Sequence, residues 1–139
     1  MTNALRYLAT ASVVALVGCD GGREPAYAAL GLVEVTGTVK LDGEPLGGVM
    51  VEFENPEDKT LSFAKTNAAG GYKLMFNSEK SGCTPGKKVV RVKPYREPDA
   101  DPVDLPIDSK IPDKYNRKSE LTAEVDASHR TFDFDLTSK

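Results

Sequence analysis

Few side chains in this chain are equipped to do chemistry. Its 139 residues include two cysteines, Cys19 and Cys83, and one histidine, His129. A single histidine leaves multi-histidine metal centres and most histidine-dependent nucleophile systems without their parts. Cys83 lies near Lys80, Lys87 and Lys88, cations that would depress a thiol pKa if they converged on it. With no histidine partner, it reads as a partly buried loop cysteine. His129, in Ala127-Ser128-His129-Arg130, reads as a solvated turn residue. Glu97, Asp99, Asp101, Asp104 and Asp108 crowd one stretch and could offer oxygens to a calcium ion. Calcium wants about six to eight oxygens on a tightly turned backbone. Pro98, Pro102 and Pro106 stiffen this stretch and no glycine relieves it, so a solvated acidic loop is expected. The chain is expected to be no enzyme and to carry neither metal nor cofactor.

Cys19 has a more distinctive setting. Met1–Leu5 is followed by one cation, Arg6, and Tyr7–Gly18 then carries no charge. As a helix that uncharged stretch would measure about 18 Å, too short to cross a bilayer comfortably. It fits the apolar region of a signal peptide, residues 1–18, with small residues before the cut. Leu16-Val17-Gly18-Cys19 resembles the lipobox of bacterial lipoproteins. The resemblance implies that the Cys19 thiol takes a diacylglycerol group and that cleavage falls between Gly18 and Cys19. A Cys19–Cys83 disulfide is the competing arrangement for an exported chain. Two or three acyl chains would anchor the protein stably, as a single chain would not. Asp20 after the cysteine is similar to an inner-membrane retention signal in some bacteria. Residues 19–32, with Gly21, Gly22 and Pro25, read as a lipidated tether.

From Val33 the pattern changes to period two. Val33, Val35, Val39 and Leu41 alternate with polar residues, with Gly37 at one inward position. Asp42-Gly43-Glu44-Pro45 turns the chain. Further segments begin at Val49, Leu61, Tyr72, Val90, Leu121 and Phe132, each expected to have one apolar and one wet face. Slipping the last segment by one residue would bury Asp133 and Asp135 and expose Phe132 and Phe134. No helical stretch intervenes. Seven half-apolar strands must stack their apolar faces, so the expectation is all-β, a seven-strand antiparallel β-sandwich over residues 33–139.

Val35-Thr36-Gly37-Thr38-Val39, Leu41-Asp42-Gly43-Glu44-Pro45-Leu46 and Val49-Met50-Val51 resemble the opening of carboxypeptidase regulatory-like domains. Thr66-Asn67-Ala68-Ala69-Gly70-Gly71-Tyr72 is similar to their T-x-x-x-G-x-Y turn, and Pro85-Gly86-Lys87 to the entry of their next strand. Ile111-Pro112-Asp113-Lys114-Tyr115-Asn116 and Phe132-Asp133-Phe134-Asp135-Leu136 resemble short bacterial lipoproteins carrying this domain. The resemblance implies a transthyretin-like (prealbumin-type) sandwich that aids folding or partner contact. Hydrolases of that fold acting on hydroxyisourate use several histidines and a C-terminal Tyr-Arg-Gly-Ser. Here His129 stands alone and the chain ends Asp135-Leu136-Thr137-Ser138-Lys139.

Tyr95–Glu120 is a 26-residue connection among short turns. Prolines at 94, 98, 102 and 106 exclude a helix there. Ile107, Ile111 and Tyr115 could pin it across an open sheet edge, and Ile111, Pro112, Lys114 and Tyr115 form the candidate partner segment. Lys87, Arg91, Lys93 and Arg96 form an outward basic stripe expected to aid solubility and blunt an edge. The net charge of −3 argues against a nucleic-acid partner. Together these readings anticipate a membrane-anchored lipoprotein of the cell envelope, facing periplasm or exterior. Its role would be structural or binding, with an envelope protein or glycan as partner. The alternative is an accessory carbohydrate- or peptide-binding subunit of an envelope hydrolase or transport system.

Overall fold

The computed structural model describes residues 26–98 and 111–139. The signal region 1–18, the Gly18–Cys19 junction, the first part of the tether, and Asp99, Asp101, Pro102, Asp104, Pro106, Ile107 and Asp108 lie outside the described residues. Ala26–Leu30, expected within the tether, forms a 3-10 helix. Its Tyr27 packs edge-on against Phe76, ring centroids 6.1 Å apart, and accepts a 2.8 Å hydrogen bond from Asn77 Nδ2.

Eight strands follow among the described residues: β1 (Thr36–Leu41), β2 (Glu44–Pro45), β3 (Val49–Glu54), β4 (Leu61–Lys65), β5 (Gly71–Lys73), β6 (Gly86–Pro94), β7 (Thr122–Val125) and β8 (Phe134–Leu136). They build two sheets. In the first, β1 pairs with β2, β5 and β8; the second runs β4-β3-β6-β7. The fold is all-β as expected. Seven strands coincide with the period-two segments, and the extra one, β2, is the short return arm of a hairpin. Asp42 (φ 51°) and Gly43 (φ 85°) form its two-residue loop, the sign pattern of a I′ turn, whose twist matches that of the flanking strands. The expected antiparallel pairing has one departure: β8 runs parallel to β1, Val39 opposite Phe134 and Leu41 opposite Leu136.

Both sheets feed one core. Val39, Leu41, Tyr72, Leu74 and Leu136 come from the first sheet and its flanks, and Val51, Phe53, Val90, Val92, Ala123 and Val125 from the second. Phe53 is fully buried, its ring 5.7 Å from Phe132, 6.1 Å from Phe134 and 6.4 Å from Tyr72. Along Phe132–Leu136 the alternation is as read, with Asp133 and Asp135 exposed and Leu136 buried. On β4 it is reversed: Ser62 and Ala64 point inward while Leu61 and Phe63 stand 38% and 37% exposed. The register with β3 requires this. Ser62 lies opposite Phe53 and Ala64 opposite Val51, so the inward row of β4 faces bulky neighbours and takes small residues.

The strands give the domain two ends. At one lie the Val33–Cys83 bridge, the β3–β4 turn and the β7–β8 turn; there Glu54 pairs with Val89 and Gly86 with Val125. At the other lie the Asp42-Gly43 turn, the Asn67–Gly71 turn and the exit of β6, where Val49 pairs with Pro94.

Candidate functional site

Two places gather the polar and reactive side chains. The first, at the end where β6 exits, is the segment expected to meet a partner. Ile111 is 5% exposed and joins the core, and Pro112 opens a 3-10 turn over Asp113–Tyr115. Lys114 Nζ donates to Lys139 O at 2.8 Å and to Thr137 Oγ1 at 3.3 Å. The Thr137 amide donates to the Tyr115 hydroxyl at 3.2 Å. Ser119 Oγ donates to Val90 O, and Val90 N to Leu121 O at 2.9 Å. The segment therefore ties β6 of one sheet to the chain just beyond β8 of the other. Ordering was expected here, and the inward apolar residue supplies it; the polar groups of Lys114 and Tyr115 are occupied by the C-terminal residues.

The second place, inside the opposite end, is a buried polar cluster whose connections sequence reasoning missed. Lys88 is 0% exposed, on the inward row of β6 with Val90 and Val92. Its Nζ donates to Thr84 Oγ1 at 2.6 Å. The Thr84 and Thr60 hydroxyls are 3.3 Å apart, and Thr60 Oγ1 donates to Asp58 Oδ1 at 2.7 Å. A continuous hydrogen-bonded file thus runs from a buried amine through two hydroxyls to an exposed carboxylate on the β3–β4 turn. Backbone and side-chain hydrogen bonds from Thr60 hold the Asp58 carboxyl below the usual carboxylate range, with the Lys88 amine adding to the effect. Period-two counting back from Val90 was the available signal, since it sets Lys88 on the inner face.

Cys83 belongs to this cluster and is 1% exposed. Burial pushes its thiol pKa up, against hydrogen bonding with Ser62 and the positive Lys88 amine. The lysines therefore do not produce an activated thiolate. Desolvation outweighs them. The cluster's chemistry is internal: it supplies partners for polar groups at one end of the core. Methionine at Lys88 keeps most of the volume and removes the need to bury an amine. Lys88→Met is expected to raise unfolding free energy by about 1 kcal/mol. Lys88→Ala, which leaves a cavity, should lower it by about 2–4 kcal/mol. Urea melts of the two variants measure both; a methionine variant as unstable as the alanine one would show that the amine itself holds this end together.

The remaining candidates resolve differently. His129 is an exposed turn residue whose Nδ1 lies 2.8 Å from Asp126 Oδ2. The basic stripe on β6 is largely neutralised, Arg91 by Glu54 and Lys93 by Glu52, each at 2.5 Å. It does not blunt an edge, because β6 is an interior strand between β3 and β7. Glu97 pairs with Lys65 at 3.3 Å and accepts from Tyr95 Oη at 3.2 Å. Among the described residues no three His, Cys, Asp or Glu side chains gather as a metal site, and no helix is long and apolar enough to cross a membrane. Comparison with family models, curated proteins and solved structures returns no match to this chain.

Proposed function

We propose that the chain is a non-catalytic module of a bacterial cell envelope, held at a membrane by acyl chains on Cys19 and presenting its all-β domain for a structural or binding role. The observation that carries this reading is Leu16-Val17-Gly18-Cys19 at the end of an uncharged stretch that follows Arg6. Removal of residues 1–18 would leave Cys19 at the N-terminus, seven residues before the first described residue. A transthyretin-like sandwich is the finer fold reading. It is supported by two sheets sharing one core, by the Asp42-Gly43 hairpin, and by the Asn67–Gly71 turn that delivers Tyr72 to the core. The non-catalytic reading draws on the buried, pKa-raised thiol of Cys83 and the position of His129 on an exposed turn. The partner class is an envelope protein or glycan.

Fractionation of cells expressing the full chain tests the anchor. The unaltered protein should sediment with membranes, and its N-terminal peptide should begin at Cys19 with acyl mass attached. Cys19→Ser should move it to the soluble fraction. A variant that stays with the membranes would refute the anchor.

A further inference from the structure

Ala26 marks where the chain enters the described domain. It opens the 3-10 helix that Tyr27 docks onto Phe76 and Asn77, beside the Asn77–Lys80 turn. Three residues beyond that helix, Val33 exchanges two 2.8 Å hydrogen bonds with Cys83, just before β6 begins. The chain thus enters at the end of the domain that holds the β3–β4 and β7–β8 turns. Seven residue steps separate Cys19 from Ala26, a reach of at most about 25 Å even when fully extended. β6 alone runs about 26 Å from that end to the other. An acyl group on Cys19 could lay the far end on the bilayer only with the tether drawn out to its full length, whereas contact at the entry end needs no such extension.

The side chains at the entry suit an interface. Leu30 is 37% exposed, a bare apolar group beside the tether. The Tyr27 ring offers an apolar body with a polar tip, the amphipathic character that favours headgroup depth. Lys80 Nζ lies 5.8 Å from the centre of that ring, a cation at the same place for an anionic headgroup.

We infer that the entry end, through Leu30, Tyr27 and Lys80, is the surface apposed to a phospholipid bilayer. The Asp42-Gly43 turn and the Ile111–Tyr115 segment then point away from it into the aqueous compartment. The inference rests on the lipid anchor proposed above, and it adds an orientation that the anchor alone does not specify.

The test uses the full acylated protein in vesicles of zwitterionic and anionic phospholipid carrying bromine on their acyl chains. Lys80→Cys at the entry end and Glu44→Cys at the far end each take a maleimide fluorophore; the buried Cys83 thiol is shielded from it. Quenching by the brominated lipid should be several-fold greater at position 80 than at position 44. Equal quenching, or more at position 44, in protein that carries acyl mass and floats with the vesicles overturns the orientation and leaves the anchor standing. Protein without acyl mass that fails to float overturns both.

Discussion

Phe53→Ala is expected to lower the unfolding free energy by about 4 kcal/mol. The ring sits at 0% exposure between the sheets, and three aromatic neighbours from the opposing layer surround it within 6.4 Å. Its removal loses the transfer free energy of the ring and leaves a cavity. The cavity cannot close readily, because Val51 and Val92 are fixed in a paired ladder beneath it. Domains of this size are stable by about 5–15 kcal/mol in total, so a large share would go with one side chain. Phe134, partly exposed on an edge strand, should cost distinctly less when truncated. Chemical denaturation of both variants ranks them. A Phe53 loss below about 1 kcal/mol, or a larger loss at Phe134, would mean that the sheets do not meet as described.

Gly37→Val should cost about 3 kcal/mol or more, from the opposite cause. A Cβ at this position would lie 1.8 Å from Phe132 O and 2.7 Å from the Tyr72 hydroxyl. Those two atoms are themselves joined, Tyr72 Oη donating to Phe132 O at 2.6 Å. Any side chain at 37 must push Phe132 off β1 or break that bond, and the Tyr72 hydroxyl, buried with its pKa raised, would lose its partner. Amide exchange gives a local readout. The Phe132 amide, which donates to Thr36 O at 3.0 Å, should lose protection before the β3–β6 amides do. Uniform loss of protection would place the strain elsewhere.

Alternation exposed most of the fold because most strands bury one face. Phe132–Leu136 reads correctly by eye, since charged and aromatic residues occupy opposite faces. β4 misleads for a steric reason: its neighbour contributes Phe53 and Val51 to the interior, so small Ser62 and Ala64 fit inside and Leu61 and Phe63 are left outside. No single-strand pattern contains that information, because it depends on the partner's volume. The parallel seating of β8 on β1 is equally invisible locally, since period two does not encode direction. Of the candidate sites, the Ile111–Tyr115 segment was legible through its one inward isoleucine. The file from Lys88 to Asp58 was not, because it needs three elements to converge: the β3–β4 turn, the approach to β6, and β6 itself.

The pairing of β1 with β8 also governs how the chain can be made. Val39 finds its neighbour Phe134 only after 95 further residues have been added. Contacts so distant in sequence are slow to form, since loop closure must precede any reward. Until β8 is available, the Val39–Leu41 edge of β1 stays open to a stray strand from another molecule. The polypeptide is thus open to clumping for as long as β8 has not been made, and loss of that strand would leave the vulnerability permanent.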